Sequence, residues 1–448
     1  MATAAQTLEV VDLPPLPPAR EIPQSWSDSI HAWWATTVQF EKESAASEER
    51  MLRRLPSFLP AGVAIPSPTP AVISRITQVA LPSPQHAYIN TLSMLPTTPP
   101  ASEPVPTVML HGYAAGLGFY FKNFPYLADE WVAKRGGRLY ALDWLGMGRS
   151  ARPPFRIRSK GVVDKVLEAE SFFVDSLEAW RRAQGIEKMA LVGHSLGGYL
   201  SVAYTLKYPE RVSRLILLSP AGVPSSEHAH DVPSAELANP EATHGKHHHG
   251  KAKLVASTNG TATDSAKVEE AREPSKEEQA RARRSMMRVV GTYLWEQGVS
   301  PFTILRWSGI YGPLLVSKYS SRRFSHLDAS DIRDMHNYIY HISRAKGSGE
   351  FCISHILAPG AYAYYPVVNR IATVKVPVAF VYGDHDWMDP AGGLAAIEKL
   401  KAAGNKDARM YVVDNAGHHV YLDNDHVVNR LIVDELAGKA YTGKALYA

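Results

Sequence analysis

Short apolar runs of strand length recur along the chain, separated by segments of helical or loop character. The runs cover residues 76–81, 87–95, 105–110, 138–142, 190–192, 214–218, 378–382 and 410–413. Between them, residues 162–183 have the apolar period of a long amphipathic helix. Strands that alternate with helices predict an α/β fold, with a mostly parallel central sheet flanked by helices. Pro82 and Pro84 separate the first two runs, which predicts an antiparallel hairpin at the start of the sheet.

A different pattern precedes the sheet, in an N-terminal extension that covers residues 1–70. Trp26, Ile30, Trp33, Trp34 and Val38 recur at helical spacing and are interleaved with polar residues, which predicts an amphipathic helix with an aromatic face. Such a face more often packs on the protein core, but tryptophan also favours the interface between lipid and water. Both interpretations are open at this point.

Residues 222–373 interrupt the alternation and are expected to form an insertion between two halves of the core, residues 71–221 and 374–448. Residues 225–284 are rich in Ala, Glu, Lys, Ser, Thr and His and lack aliphatic clusters, so they are predicted to be disordered. Residues 286–365 are dense in aromatic and aliphatic side chains. That density favours a helical lid over an apolar substrate pocket.

Composition and charge narrow the class of protein. The chain has 448 residues, of which 45% are hydrophobic and 21% charged, as in globular proteins. The formal net charge of +4 is too small to predict a nucleic-acid partner and is compatible with an anionic membrane surface. The single cysteine, Cys352, excludes internal disulfides and indicates a reducing, intracellular compartment. No apolar run approaches the roughly 20 residues that span a bilayer, so any membrane association is expected to be peripheral.

The candidate chemistry centres on residues 190–199, which read as a buried strand, a glycine-flanked turn and a helix. Ser195 lies at the tip of the turn in the pattern G-x-S-x-G, where a sharp turn lifts a serine hydroxyl clear of the sheet. Ser195 is therefore the candidate nucleophile. Such a match also arises by chance, so the interpretation depends on finding its chemical partners.

The expected partners occur in order along the chain. Residues 111–116 form a small-residue loop after a strand, and the N–H groups of Tyr113 and Leu196 are the candidate oxyanion donors. Asp386 follows a later strand and is preferred to Asp384 and Asp389 as the triad acid.

His418 follows the last strand and an Ala-Gly pair, and it is preferred to His419 as the base. The chain order Ser, Asp, His is the order found in α/β-hydrolases. In this interpretation His418 deprotonates Ser195, and Asp386 orients the imidazole and stabilises its protonated form. No metal or cofactor is predicted.

These residues carry a family resemblance. The chain resembles the branch of the α/β-hydrolase-domain family that contains a lipid-droplet lipase co-activator, N-acyl phospholipid lysophospholipases and fungal cardiolipin-specific deacylases. The matching segments are residues 111–118, 193–198, 300–313, 338–341, 348–350 and 417–423. The string Gly-Asp-His-Asp-Trp-Met at residues 383–388 most resembles fungal and plant members.

The resemblance implies a serine lipid hydrolase of the α/β-hydrolase fold, acting on a phospholipid substrate at a membrane surface. Cardiolipin deacylation at the mitochondrial inner membrane is the best single expectation, with cytoplasm or lipid droplet as alternative locations. His418 and Asp423 form an H-x4-D pattern that is linked in this branch to acyl transfer onto lysophosphatidic acid. A lysophosphatidic acid acyltransferase that uses acyl-CoA is therefore an alternative, as is a lipid-binding regulator or co-activator of a lipase.

Five lid residues are candidate substrate contacts. Trp295 and Trp307 suit an apolar acyl chain. Arg306, Arg322 and Arg323 either serve ordinary surface solvation or bind a phosphate group.

Overall fold

A computed structural model describes residues 13–83, 87–225, 290–291, 293–295 and 298–443 of the chain. Residues 226–284 of the segment predicted to be disordered lie outside the described residues.

Eight strands form one sheet in the order β1-β2-β4-β3-β5-β6-β7-β8. Their bounds are Val72–Ala80 (β1), Tyr88–Pro96 (β2), Thr107–Leu110 (β3), Leu139–Leu142 (β4), Met189–His194 (β5), Val212–Leu218 (β6), Val378–Gly383 (β7) and Ala408–Val413 (β8). β1 pairs antiparallel with β2, and β2 pairs antiparallel with β4. All other pairs are parallel. The predicted fold class and opening hairpin are confirmed.

The strands from β3 onward are apolar because both faces of the sheet are buried. In β3, Val108 and Leu110 point into one hydrophobic core and Met109 into the other. Leu215 and Ile216 of β6 divide between the two cores in the same way. A strand covered on both faces needs a continuous apolar run, which is the pattern in the sequence.

Helices cover both faces of the sheet and form the insertion. Their bounds are Trp26–Val38 (α1), Phe40–Leu52 (α2), Phe124–Leu127 (α3), Val162–Ala183 (α4), Leu196–Lys207 (α5), Pro301–Trp307 (α6), Gly312–Arg323 (α7), Ala329–Arg344 (α8), Glu350–Ile356 (α9), Pro390–Ala402 (α10), Val420–Asp423 (α11) and Asp425–Leu436 (α12). Helices α6 to α9 form the described part of the predicted lid. No helix in the described ranges is long and apolar enough to cross a bilayer.

Helix α1 does not bury its aromatic face on the core. Its buried residues are the small polar Ser29 and Thr36. Ser29 joins the helix to the lid, because its hydroxyl donates to the carbonyl of Ile310 at 2.7 Å. Trp34 is 66% exposed, and Trp26 and Ile30 are also exposed. The interpretation that this face packs on the core is therefore wrong for these side chains.

Candidate active site

The serine at residue 195 occupies the sharp turn between β5 and α5. Its backbone lies in the left-handed region, with φ of 51°. Gly193 and Gly197 face each other across the turn, and a Cβ on Gly193 would collide with the carbonyl of Gly197. A Cβ on Gly197 would collide with the carbonyl of Leu110 on the neighbouring strand. Only glycine fits either position, so the G-x-S-x-G pattern is a steric requirement of the turn.

Ser195, His418 and Asp386 form a continuous chain of hydrogen bonds. Ser195 Oγ lies 3.0 Å from His418 Nε2. His418 Nδ1 lies 3.1 Å from Asp386 Oδ1. Because β5, β7 and β8 are parallel, the residues that follow them meet at one edge of the sheet. The structure thus brings together the three residues predicted from the sequence, in the geometry of a nucleophile, a base and an orienting acid.

The neighbouring acids have other partners. Asp389 accepts a hydrogen bond from the N–H of Ala391 at 2.9 Å and caps helix α10. Asp384 accepts the N–H of Ala416 at 2.9 Å. The Asp386 side chain is completely buried beside His418, and its Oδ1 also accepts the N–H of Met388 at 3.0 Å. Geometry therefore favours Asp386 among the three.

Two further histidines lie beside His418, with ring centroids 4.8 Å (His194) and 5.6 Å (His419) from its own. His194 Nε2 lies 3.0 Å from the carbonyl oxygen of His418. His419 Nδ1 accepts a hydrogen bond from Arg323 at 2.7 Å. Burial lowers the pKa of His194 well below its usual value, helped by the nearby His418, and burial together with Arg323 does the same for the pKa of His419. Both rings are therefore neutral near pH 7, so they support His418 without competing with it as a base.

Asp423 also supports this loop. Its carboxylate accepts the N–H of Gly417 at 2.8 Å, directly before His418. It also lies 3.5 Å from both Arg323 and His326. The structure thus places the acid of the H-x4-D pattern behind the catalytic loop.

The candidate oxyanion donors lie on either side of Ser195. Leu196 is the first residue of α5, where N–H groups have no acceptor within their own helix. Gly112 packs so closely that a Cβ there would lie 2.9 Å from the Cβ of Ser195, and Tyr113 follows it. That these two N–H groups bind an oxyanion stays a prediction. The Tyr113 ring packs against Trp295 and Phe302 of the insertion, with centroids 6.1 and 5.2 Å away.

The five lid residues proposed as substrate contacts have different surroundings. Trp295 packs edge-on against Tyr113 and donates its indole N–H to the carbonyl of Leu357 at 2.8 Å. Trp307 is 74% exposed at the surface. The guanidinium of Arg306 pairs with the buried Glu350. The exposed Arg322 donates to the carbonyl of Lys318 at 3.0 Å.

Arg323 bonds to His419, as described above. Since the side chains of Arg306 and Arg323 are only 20% and 19% exposed, ordinary surface solvation is the wrong interpretation for these two. Phosphate binding by any of the three arginines stays a prediction.

The nucleophile and the base are both largely shielded from solvent. Ser195 is 8% exposed and His418 is 6% exposed. Among the described residues, no group of three or more His, Cys, Asp or Glu side chains is arranged to hold a metal ion.

A serine on a strand-turn-helix elbow, joined to a histidine and an aspartate at the edge of an eight-stranded sheet, defines the α/β-hydrolase class. A family model described as the alpha/beta hydrolase fold matches residues 105–245.

Curated relatives extend this match. A 1-acylglycerol-3-phosphate O-acyltransferase of Arabidopsis thaliana is 31% identical over 407 residues, covering 89% of this chain and 80% of the relative. A probable enzyme of the same name from Oryza sativa subsp. japonica is 35% identical, covering 72% of this chain and 65% of the relative, just under two thirds of its length. A (lyso)-N-acylphosphatidylethanolamine lipase of Bos taurus is 29% identical, covering 77% of this chain and 82% of the relative. The chain belongs to the α/β-hydrolase family, in the lipid-related branch that contains these proteins.

Proposed function

We propose that this protein is a serine hydrolase that removes a fatty-acyl group from a phospholipid. The observation that carries the proposal is the hydrogen-bonded chain from Ser195 through His418 to Asp386. The lipid-related names of the relatives support the substrate class.

The reaction follows from the geometry. His418 Nε2 accepts the proton of Ser195 Oγ as the oxygen attacks the acyl carbonyl carbon, and Asp386 stabilises the imidazolium that forms. The tetrahedral oxyanion binds the N–H groups of Tyr113 and Leu196, each worth about 3 kcal/mol. When the ester bond breaks, His418 returns its proton to the lysolipid alcohol. Water, deprotonated by His418, then hydrolyses the acyl-enzyme and releases the fatty acid.

Cardiolipin is the proposed lipid, and the mitochondrial inner membrane is the proposed location. The support for both is the family resemblance, in which residues 383–388 most resemble fungal and plant members. Exposed aromatic side chains support peripheral membrane binding. The ring of Trp26 of α1 packs at a tilt against Tyr311 of the insertion, with ring centroids 4.0 Å apart, and Tyr311 is 55% exposed. Tryptophan and tyrosine favour the lipid headgroup region.

The test compares wild-type protein with Ser195→Ala on vesicles of cardiolipin and, separately, of phosphatidylcholine and phosphatidylethanolamine. Free fatty acid and lysolipid are measured by mass spectrometry. We expect Ser195→Ala to release no fatty acid, while Ser176→Ala, which removes a buried hydroxyl bonded within α4, remains active.

Release of fatty acid by Ser195→Ala would overturn the proposal. Wild-type release from the other lipids but not from cardiolipin would retain the hydrolase and reject cardiolipin. Rescue of a knockout's lipid profile by Ser195→Ala would indicate a regulator.

An acyltransferase is the second candidate, favoured by the names of the plant relatives and by the H-x4-D pattern. Asp423 accepts the N–H of Gly417, directly before His418, so it supports the base that either reaction would use. We therefore expect hydrolysis and transfer to share one acyl-enzyme. With acyl-CoA and lysophosphatidic acid both present, Asp423→Asn should lower both activities in parallel. Loss of transfer with hydrolysis unchanged would assign Asp423 a separate role in acyl transfer.

A further inference from the structure

A buried polar network lies behind the candidate oxyanion loop, and we define it as Glu48, Asn90, Asp143 and Arg149. Asn90 Nδ2 donates to Glu48 Oε2 and to Asp143 Oδ2, each at 2.8 Å. The guanidinium of Arg149 pairs with Glu48 Oε1 at 2.8 Å, and its backbone N–H donates to Asp143 Oδ2 at 2.8 Å. Glu48, Asn90 and Asp143 are all buried. The two carboxylates therefore share one amide and one arginine.

The network is bonded to the loop at residues 111–118. Asp143 Oδ1 accepts the N–H of Leu117 at 2.8 Å. The N–H of Trp144, next to Asp143, donates to His111 Nε2 at 3.1 Å. Gly116 lies against Asp143, since a Cβ there would be 3.0 Å from its Oδ1. Both ends of the loop that carries Tyr113 are thus held from the Asp143 side.

Glu48 enters this network from outside the sheet. It lies on helix α2 of the N-terminal extension, outside the residues that the family model matches. Two buried carboxylates and one guanidinium leave an excess negative charge, which is costly away from water. Burial, with a contribution from Asp143, raises the pKa of Glu48 to about 7 although Arg149 opposes this. The buried Glu48 carboxyl group is therefore an internal part of the network and not a surface contact.

We infer that Glu48 is a positioning residue of the active site, which acts through Asn90 and Asp143 to fix the loop that carries the oxyanion donor at Tyr113. The inference rests on the proposed function, because it assigns the extension a part in the same reaction. Displacing a donor by about 1 Å can cost about 10²-fold in rate.

The test uses Glu48→Gln and Glu48→Ala in the full chain. The control is Glu49→Gln, because the partly exposed side chain of Glu49 lies on the same helix and pairs with Arg53 at 2.7 Å. Titration of Ser195 with a fluorophosphonate measures the concentration of active sites. The kcat for a short p-nitrophenyl ester is then expressed per titrated site, and KM is determined for the same ester. We expect kcat to fall about tenfold in Glu48→Gln and about 10²-fold in Glu48→Ala, with KM nearly unchanged and Glu49→Gln equal to wild type. If Glu48 only aided folding, fewer sites would titrate and kcat per site would be normal, which would overturn the inference.

Hydrogen exchange gives a readout that does not require activity. The amides of residues 111–118 should exchange faster in Glu48→Ala than in Glu49→Gln, and equal rates would also overturn the inference. Failure of the proposed function gives a different result. Wild-type protein would then react with the fluorophosphonate but release no fatty acid from vesicles. That result would reject the phospholipid substrate, and both Glu48 measurements would remain valid.

Discussion

The backbone of Ser195 adopts an unfavourable conformation at its place in the turn. A left-handed conformation costs a residue with a side chain about 1 to 3 kcal/mol. Here it is held on both sides, because the N–H of Ser195 donates to the carbonyl of Leu218 at 2.9 Å and its carbonyl accepts the N–H of Ala221 at 3.1 Å. The hydroxyl is thereby fixed 3.0 Å from His418 before any substrate arrives.

The orienting acid can be tested at the same scale. Asp386→Asn removes the negative charge that stabilises the His418 imidazolium and allows the wrong ring tautomer, so we expect kcat to fall about 10⁴-fold. The measurement is steady-state ester hydrolysis, corrected for the fraction of folded protein.

Asp389→Asn is the matched control for this substitution. Asparagine caps a helix as well as aspartate does, so α10 keeps its cap and the activity should remain close to wild type. A large loss in Asp389→Asn with activity retained in Asp386→Asn would exchange the two assignments.

Some of the site could be predicted from the sequence, and the reason is local. Ser195, Asp386 and His418 each follow a strand, and parallel strands place such residues at one edge of the sheet. The contacts that support the loops around His418 and Tyr113 could not be predicted in this way. Arg323 reaches His419 from the insertion, and Glu48 reaches Asn90 from the extension. These pairs depend on how elements that are distant in the sequence dock. Neither Arg323 nor Glu48 lies in a sequence motif that predicts its partner.

At the scale of elements, helix α8 makes the lid sensitive to acid. His336 and His341 are both buried in this helix, and burial lowers the pKa of each to about 4. The unfolded chain binds protons at these histidines below about pH 6.5, whereas the folded chain does not. The free energy of unfolding therefore keeps its full value above about pH 6.5 and falls as the pH decreases toward about 4.

We expect each histidine to contribute about 2 kcal/mol to the loss of stability between about pH 7 and about pH 5. Urea unfolding of His336→Gln and His341→Gln at both pH values measures it, and each variant should show a smaller loss than wild type. The exposed His31→Gln is the control and should behave as wild type. An unchanged pH dependence in both α8 variants would contradict the expectation.

Element bounds were predicted best where periodicity and packing agree. Helix α4 begins and ends where the apolar period predicted, at Val162–Ala183, because its long apolar stripe packs on the sheet. Between β3 and β4, where no such long stripe occurs, the chain forms the short α3 and a π-helical turn at Ala128–Ala133. For α1 the pattern gave the helix but not its environment, because hydrophobic periodicity does not reveal which face meets protein.

At the scale of the whole molecule, the proposed membrane binding rests on the exposed residues Trp26, Trp34 and Tyr311. We expect Trp26→Ser and Trp34→Ser each to weaken binding to anionic vesicles about tenfold, since each removes the burial of a large aromatic side chain. Vesicle co-sedimentation measures the binding.

The control for membrane binding is Val162→Ser, which removes a 61% exposed apolar side chain at the start of α4 and should not change binding. Unchanged binding in both tryptophan variants would reject this surface. Equal weakening in Val162→Ser would show that exposed apolar side chains contribute to vesicle binding wherever they lie on the surface.

The pairing of β6 with β7 has a consequence for biosynthesis. Leu215 pairs with Val378 and Leu218 with Val381, across the whole insertion. Contacts between such distant parts of a chain slow folding, although closing a longer loop adds only about 0.6 kcal/mol for each doubling of its length. While the ribosome is still translating the insertion, β6 is an open sheet edge available to other chains. We therefore expect the nascent chain to need protection from aggregation during this interval, and to gain His418 only after β7 and β8 have been synthesised.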